Sequence, residues 1–379
     1  MQISAFGTWK SPISSELIVA DTLALGEIAL DGDTIYWIEG RPKEAGRYVI
    51  MGRRASGEVR ELTPPGFNAR TRVHEYGGGA FLVAEGEIVF SNFADQRLYR
   101  QTWDSEPVPL TPESPWRYAD GIFDAQRRQI ICVREDHTEP DQEAVNTLVS
   151  IPWDNSEGEQ KVLVSGHDFV SSPRLSPDGR LLAWLTWDHP RMPWDGTELW
   201  VAELRNDGTL EKFRKVAGGE SESIFQPEWS PDGELYFISD RSGWWNLYRC
   251  DIDKSQNAFP VCPREAEFGV PQWVFGLSTY GFESASSIIC TFLDRDGHHL
   301  ARLGIETGEV VPFETPFSSY RFVRVGTDRV VFLGGSPVAP TALAELDLSS
   351  GTTQVHKRSG SVTVDAGYLS VPEAIELPT

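Results

Sequence analysis

The side chains with the most visible chemistry lie in one short run, Arg72-Val-His-Glu-Tyr-Gly-Gly-Gly79. Arg72, His74, Glu75 and Tyr76 supply a guanidinium, an imidazole, a carboxylate and a phenol directly before three glycines. A carboxylate pairs with the α-ammonium group of a peptide, and a guanidinium pairs with a carboxylate. The run therefore predicts a site for a charged substrate terminus on a backbone that needs room. The alternative is a turn that leads into a strand, with buried polar groups that satisfy one another.

A second polar run, Asp188-His-Pro-Arg-Met-Pro-Trp-Asp195, places an acid and an imidazole side by side. We include Asp188 and His189 among the candidate substrate-binding residues. Proline and tryptophan also stiffen loops, because proline fixes its own φ and tryptophan packs over a large area. Packing is therefore the competing interpretation of this loop.

No motif predicts a catalytic residue, a cofactor or a metal ion. The sequence contains no Gly-x-Ser-x-Gly elbow, phosphate-binding loop, dinucleotide-binding glycine pattern or His-Glu-x-x-His pair. The run Asp294-Arg-Asp-Gly-His-His299 resembles a short calcium loop, but it lacks further oxygen ligands and lies where a turn between strands belongs. We expect no catalytic side chain, no cofactor and no metal in this chain.

The elements that must position these loops form a repeat of about fifty residues. A Ser-Pro-Asp-Gly turn at 176–179 recurs at 230–233, and each unit contains an apolar run of strand length followed by a second, amphipathic strand. The apolar runs begin at Thr34, Ile88, Gln129, Leu181, Glu234, Ser287 and Arg329. Seven units of four strands predict an all-β protein, a seven-bladed β-propeller of four-stranded antiparallel blades.

Blade geometry predicts a single working face. Successive strands alternate in direction, so the connection into the first strand and the connection from the second strand to the third open on the same face. The run 74–76 is a connection of the first kind, and 188–196 is one of the second kind. Further polar loops of the second kind lie at 39–47, 92–96, 136–146, 240–246 and 294–298. The plain Asp-Gly turns fall on the opposite face.

Composition excludes several classes of partner. A net charge of −22 argues against general binding to nucleic acid or to an anionic membrane surface, since both depend on clustered Lys and Arg. The four cysteines lie in apolar runs without metal-site spacing, which predicts buried free thiols rather than a bridge such as Cys250–Cys262. Residues 1–10 lack a signal-peptide pattern, and no apolar run is long enough to span a bilayer, so we expect a cytoplasmic protein.

Five runs also carry a family resemblance: Gly7-Thr-Trp-Lys-Ser-Pro12, Gly26-Glu-Ile, Arg70-Thr-Arg-Val-His-Glu-Tyr-Gly-Gly-Gly79, Ser91-Asn-Phe-Ala-Asp-Gln-Arg-Leu-Tyr99 and Trp187-Asp-His-Pro-Arg-Met-Pro-Trp-Asp195. They resemble the N-terminal propeller of the prolyl oligopeptidase family of serine peptidases, and most of all its dipeptidyl aminopeptidase/acylaminoacyl peptidase branch. In that family an α/β-hydrolase domain with Ser, Asp and His follows the propeller, which admits peptides rather than folded proteins. The resemblance implies a gating and substrate-selecting domain with a peptide substrate and an α/β-hydrolase domain as partners, inactive alone.

The resemblance also implies a domain organisation. Residues 1–25 form an N-terminal extension, 26–360 the propeller, and 361–379 a linker toward a hydrolase domain that this chain lacks. One alternative is a freestanding propeller that binds a protein or a small ligand without catalysis. Another is a propeller hydrolase or lactonase with a metal ion in its channel, which would need convergent acidic or His ligands on the inner strands.

Overall fold

The structure, a computed structural model, describes residues 3, 5–8, 10–19, 22–154, 159–252, 257–361, 364–373 and 375. Its strands form seven four-stranded antiparallel sheets, each built from four strands that are consecutive in the chain. These sheets are the blades of a β-propeller, which confirms the predicted fold class. Among the described residues, helices are limited to α1 (Ser15–Val19) and two 3-10 turns, Pro42–Glu44 and Ala366–Tyr368. No helix in this part of the chain is long and apolar enough to cross a bilayer.

The blades follow one another along the chain, and each begins at the centre of the ring. The strands are β1 Ala24–Asp31, β2 Thr34–Arg41, β3 Arg47–Arg53 and β4 Val59–Glu61 in blade 1; β5 Phe81–Ala84, β6 Glu87–Ser91, β7 Leu98–Thr102 and β8 Val108–Pro109 in blade 2; β9 Trp116–Asp124, β10 Gln129–Asp136, β11 Val145–Pro152 and β12 Lys161–Val164 in blade 3; β13 Phe169–Leu175, β14 Leu181–Trp187, β15 Glu198–Leu204 and β16 Leu210–Gly218 in blade 4; β17 Ile224–Trp229, β18 Leu235–Ser239, β19 Asn246–Cys250 and β20 Ala258–Pro260 in blade 5; β21 Tyr280–Ser284, β22 Ser287–Asp294, β23 Gly297–Gly304 and β24 Val310–Pro312 in blade 6; and β25 Ser319–Gly326, β26 Arg329–Ser336, β27 Ala339–Asp347 and β28 Thr353–Arg358 in blade 7.

The second strand of each blade explains the apolar runs in the sequence. All seven residues of β14 are buried, because neighbouring blades cover both of its faces. A strand that is buried on both faces does not alternate apolar and polar residues, so its sequence is a continuous apolar run. At the start of β14, the Ser176 hydroxyl accepts a hydrogen bond from the Leu181 amide at 2.9 Å, and Gly179 adopts φ +67°. The predicted turn and strand are both present.

Apolar clusters between adjacent blades hold the ring together. Blades 7 and 1 meet through a cluster that includes Leu25, Trp37, Phe322 and Leu333, all buried. Each of these two blades uses only its own strands, so side-chain packing rather than strand exchange forms most of this junction. Burial of this kind stabilises a junction by about 25 cal/mol per Å² of apolar surface.

Bulges in the inner strands direct polar groups toward the axis of the ring. The pairing register shifts in β1, β9, β13, β17 and β25. Asp120, Ser172 and Gln226 occupy these bulges with φ of +54°, +53° and +46°. A bulge re-aims the side chains next to it, which is how inner strands of an apolar sheet present charges to a central channel.

The ends of the ring lie close to the expected boundaries. The first strand begins at Ala24 and the last ends at Arg358, while the division into extension, propeller and linker stays a prediction. Positions 362–363, 374 and 376–379 of the predicted linker, and position 9 of the first family run, lie outside the described residues. All four cysteines are buried and free, as predicted.

Candidate functional site

A cavity of about 740 Å³ opens on the face that the strand directions predict. Five connections supply its walls. They are the connections into β5, β13 and β21, at 74–77, 166–169 and 272–275, and the loops between second and third strands in blades 3 and 4, at 135–146 and 187–194. Three of the predicted polar loops, at 74–76, 136–146 and 188–196, therefore meet around this cavity, whereas those at 39–47, 92–96, 240–246 and 294–298 do not line it.

The triple glycine fixes the backbone at the base of the cavity. Gly78 pairs with Phe275 in an isolated bridge, and the Phe275 amide donates to the Gly77 carbonyl at 3.0 Å. A Cβ on Gly78 would lie 2.5 Å from the Phe275 carbonyl oxygen, and its φ is +86°. Only glycine satisfies both conditions. The space that the sequence predicted at this position is occupied by the backbone of Phe275, which packs directly against the backbone of Gly78.

His74 forms part of the cavity wall. Its Nε2 lies 3.2 Å from Oδ1 of Asn146, and its ring packs against Phe169, Trp187 and Phe275 at centroid distances of 5.0, 5.5 and 4.8 Å. Burial lowers the pKa of His74 to about 4, because the charged imidazolium is disfavoured there. The imidazole is therefore neutral near pH 7 and supports the wall. His74 therefore fits the alternative interpretation, a buried polar side chain whose hydrogen bonds are satisfied within the protein, better than that of a side chain free to bind a ligand.

Like Glu143, Glu75 is an accessible acid of the cavity. Its side chain is 81% exposed, and its Oε1 lies 3.3 Å from Nη1 of Arg117. The same guanidinium nitrogen lies 3.2 Å from Oε2 of Glu135, whose side chain is 6% exposed. Glu135 also accepts the His74 amide at 3.0 Å. Arg117 thus holds two carboxylates at the rim, one buried and one open to solvent.

Arg72 does not line the cavity. Its guanidinium lies over the Phe93 ring at 4.3 Å from the centroid, and its amide donates to Oε1 of Gln96 at 2.8 Å. Arg117 is the cation beside Glu75, the position that Arg72 was expected to fill. The sequence offers a reason for the difference: Arg117 lies in β9, an inner strand, whereas the prediction considered only the loops.

Asp188 and His189 belong to a pair of crossed contacts between two loops. Nδ1 of His167 lies 3.0 Å from Oδ2 of Asp188, and Nδ1 of His189 lies 2.9 Å from Oδ2 of Asp168. The Asp168 amide donates to Asp188 at 2.7 Å, and the His189 amide donates to Asp168 at 2.8 Å. His189 lines the cavity, while Asp188 holds the neighbouring loop in place.

Aromatic rings form the other wall, and the sequence analysis missed one of its exposed members, Trp273. Trp273 is 52% exposed and contacts Trp194 and Tyr76 at centroid distances of 4.3 and 5.8 Å. Trp273 lies in the connection into β21, which is the same kind of connection as 74–76. The argument that connections into first strands open on the working face also applies to this connection, and it would have identified Trp273. Glu135 lies one residue before the loop at 136–146 that the sequence singled out.

The contribution of His74 to the stability of the fold is expected to fall as the pH drops from about 7 to about 5, whereas Glu27, whose pKa burial raises to about 7, acts in the opposite direction. The unfolded chain protonates His74 near its ordinary pKa, whereas the folded chain resists protonation down to about pH 4, so proton uptake favours unfolding. His298, whose pKa burial also lowers to about 4, acts in the same direction. Urea unfolding of wild type and His74→Gln across this range measures the effect. The stability of the variant should rise relative to that of wild type as the pH drops, and equal slopes would contradict the assignment.

No group of three or more His, Cys, Asp or Glu in the described part of the chain is arranged to hold a metal ion. The site offers binding chemistry: the exposed acids Glu75 and Glu143, Arg117 beside Glu75, histidines at the rim and a wall of aromatic rings. Such a set suits a ligand with an ammonium group and apolar side chains.

No protein-family model and no curated protein matches the chain. Solved structures do. A puromycin-hydrolyzing peptidase of Mycobacterium tuberculosis is 35% identical with a TM-score of 0.90, over 97% of this chain and 58% of that one. A puromycin hydrolase is 34% identical with a TM-score of 0.88, over 96% and 58%. A prolyl endopeptidase, at 14% identity and a TM-score of 0.67 over 90% and 51%, shares the fold.

Fold and matches together define the class: the chain is a β-propeller with the fold of the propeller domain of prolyl oligopeptidase-like peptidases. Within that class it is similar over almost its whole length to the propeller of the puromycin-hydrolysing enzymes. The chain spans 58% of the length of those two relatives. The described residues form the propeller and its flanking segments, without a catalytic α/β-hydrolase domain.

Proposed function

We propose that the chain is the gating and substrate-selecting domain of a cytoplasmic serine peptidase of the dipeptidyl aminopeptidase/acylaminoacyl peptidase branch, acting on short peptides. Its partner is an α/β-hydrolase domain that supplies Ser, His and Asp and faces the loop cavity. The match to puromycin-hydrolysing peptidases supports this proposal, because the chain accounts for only 58% of their length. The rest is ample for a catalytic domain.

The observation that carries the proposal is the position of Glu75. Its carboxylate is exposed at the cavity rim, and Tyr76 and Trp273 form an aromatic pair in the same wall. A peptide ammonium group would pair with the carboxylate and lie against aromatic faces, which favour cations. Arg117 keeps the Glu75 carboxylate in place while leaving most of it open.

The other candidate residues take different parts in this arrangement. His74 and Tyr76 shape the wall, and His189 contacts the peptide from the opposite rim. Asp188 is a positioning residue, because it acts through His167 and Asp168. The side chain of Arg72, stacked on Phe93, has no direct part.

One observation favours a second candidate function. The loop cavity combines the exposed carboxylate of Glu75 with the aromatic rings of Tyr76 and Trp273. A freestanding propeller could therefore bind a peptide or a small cationic ligand as a non-catalytic module. The two candidates share the ligand chemistry and differ in whether cleavage follows.

Replacing Glu75 by Gln, with an α/β-hydrolase domain restored to the chain, is expected to lower kcat/KM for a short peptide about tenfold or more, roughly 1.4 kcal/mol or more. The amide keeps the shape but loses the charge that pairs with the ammonium group. Glu113→Gln, at an acid that is 90% exposed and outside the cavity, is the matched control and should retain wild-type kinetics. Unchanged kcat/KM and unchanged thermal stability in Glu75→Gln would reassign Glu75 to structure.

A further inference from the structure

The central channel of the propeller is a second cavity, separate in its lining from the loop cavity. It measures about 570 Å³, and all seven inner strands or their leading residues contribute to its wall. Five of its lining side chains carry charge: Glu27, Asp120, Arg174, Glu228 and Arg324. The proposed peptidase function makes no use of these groups.

Three of the five groups form an ion-pair cluster of one cation and two carboxylates. Nε of Arg174 donates to Oε1 of Glu228 at 2.9 Å, and Nη1 of Arg174 lies 4.0 Å from Oδ1 of Asp120. Asp120 also accepts the Ser172 amide at 2.6 Å. These contacts join blades 3, 4 and 5 at the axis and need no ligand.

Arg324 has only neutral partners. Its guanidinium donates to the carbonyl oxygens of Gly276 and Val323 at 2.9 and 3.1 Å, and to the Ser278 hydroxyl. In the described part of the chain, no carboxylate oxygen lies within 4.0 Å of it. Burial lowers the pKa of Arg324 to about 10, although the charges of Glu228, Glu27 and Asp120 act in the opposite direction. A cation in such a position gains strongly from an added carboxylate.

Glu27 is the complementary group. Its Oε2 accepts the Ala80 amide at 3.0 Å, and no cationic nitrogen of the described residues lies within 4.0 Å. Burial raises the pKa of Glu27 to about 7. The charges of Arg324 and Asp120 act on Glu27 with opposite signs, so both face the same space. Among the described residues, Arg324 and Glu27 therefore have no oppositely charged group within 4.0 Å.

We propose that the central channel binds a small zwitterion, the class that includes free amino acids and short unblocked peptides. Its carboxylate pairs with Arg324 and its ammonium group pairs with Glu27. The volume of about 570 Å³ accommodates such a ligand together with water. The inter-blade hydrogen bonds of both side chains hold them in position before the ligand arrives, which reduces the entropy cost of binding.

The test is calorimetric titration of glycylglycine into a Glu75→Gln chain, in which the acid proposed to bind a peptide in the loop cavity is already neutral. We expect binding that weakens tenfold or more when Glu27→Gln is added. The glutamine carbonyl can still accept the Ala80 amide, so the fold is preserved. Arg324→Gln should have the same effect, with thermal unfolding to check integrity, and Glu58→Gln on an exposed pair should have none. N-acetylglycylglycine and glycylglycinamide, each lacking one charge, should bind at least tenfold more weakly than glycylglycine.

A pH series separates ligand binding from a structural role. Affinity should fall as the pH drops below about 7, because protonated Glu27 cannot pair with an ammonium group, and Glu27→Gln should lack this dependence. Asp120, Arg174, Glu228 and Arg324 are the charged groups that face Glu27 across the channel. No binding of glycylglycine at millimolar concentration, or binding unchanged by Glu27→Gln, would overturn the proposal. Neither result would bear on Glu75, which is neutral in every protein of the series.

Discussion

Gly78→Ala is expected to destabilise the protein by about 3 kcal/mol or more and to weaken peptide binding in the loop cavity. A Cβ at this position would lie 2.5 Å from the carbonyl oxygen and 2.7 Å from the amide nitrogen of Phe275. Both atoms belong to backbone, so the collision can be relieved only by separating the two connections that form the cavity base. The unfolding free energy from urea titration measures the effect.

Gly86→Ala is the matched control for this change. Gly86 has a similar positive φ of +78°, but nothing lies within 4 Å of the Cβ that alanine would add. It should therefore lose only the conformational cost of about 1 kcal/mol. Equal losses for the two variants would mean that the contact between the connections has no energetic weight.

Arg174→Met is expected to cost about 3 kcal/mol, because it leaves two channel carboxylates without their cation. The side chains of Asp120 and Glu228 are only 8% and 30% exposed, and Arg174 is their ion-pair partner within 4.0 Å. Burial already raises the pKa of Asp120, so removing the arginine makes its ionised form still less favourable. The loss should therefore be larger at pH 7 than at about pH 5, where more of this carboxyl is protonated.

Two further variants make this expectation specific. Adding Glu228→Gln to Arg174→Met should recover part of the lost stability, since one uncompensated charge disappears. Arg128→Met, at an arginine that is 44% exposed and paired with exposed acids, should change the unfolding free energy by less than about 1 kcal/mol. A loss at Arg128 equal to that at Arg174 would remove the distinction between channel and surface charges.

The fold was predictable because each repeat unit is marked by short sequence patterns. The apolar second strands, such as β14, and the Ser-Pro-Asp-Gly turns follow from burial and turn geometry within a few residues. The bulges were not predictable in the same way. Asp120 and Ser172 take left-handed φ without being glycine, and that conformation depends on contacts made by the neighbouring blades.

The sequence predicted which face of the propeller carries the site, but it predicted the side chains that form the site less well. The strand directions located His74, Glu75 and His189 around one cavity, because that argument needs only connectivity. The ionic partner of Glu75 could be identified only from the structure. Arg117 approaches from a different blade, whereas Arg72, which is close in sequence, stacks on Phe93. Sequence proximity was a poor guide to ionic pairing here.

The most direct test of the central claim is the affinity of this chain for one tripeptide in two forms, with a free and with an acetylated amino terminus. If the loop cavity selects peptides through Glu75, the free form binds about tenfold or more tightly, a difference of roughly 1.4 kcal/mol. With Glu27→Gln present in both proteins to weaken the channel site, adding Glu75→Gln should abolish that preference. Equal affinity of the two forms for the wild-type chain would contradict the account.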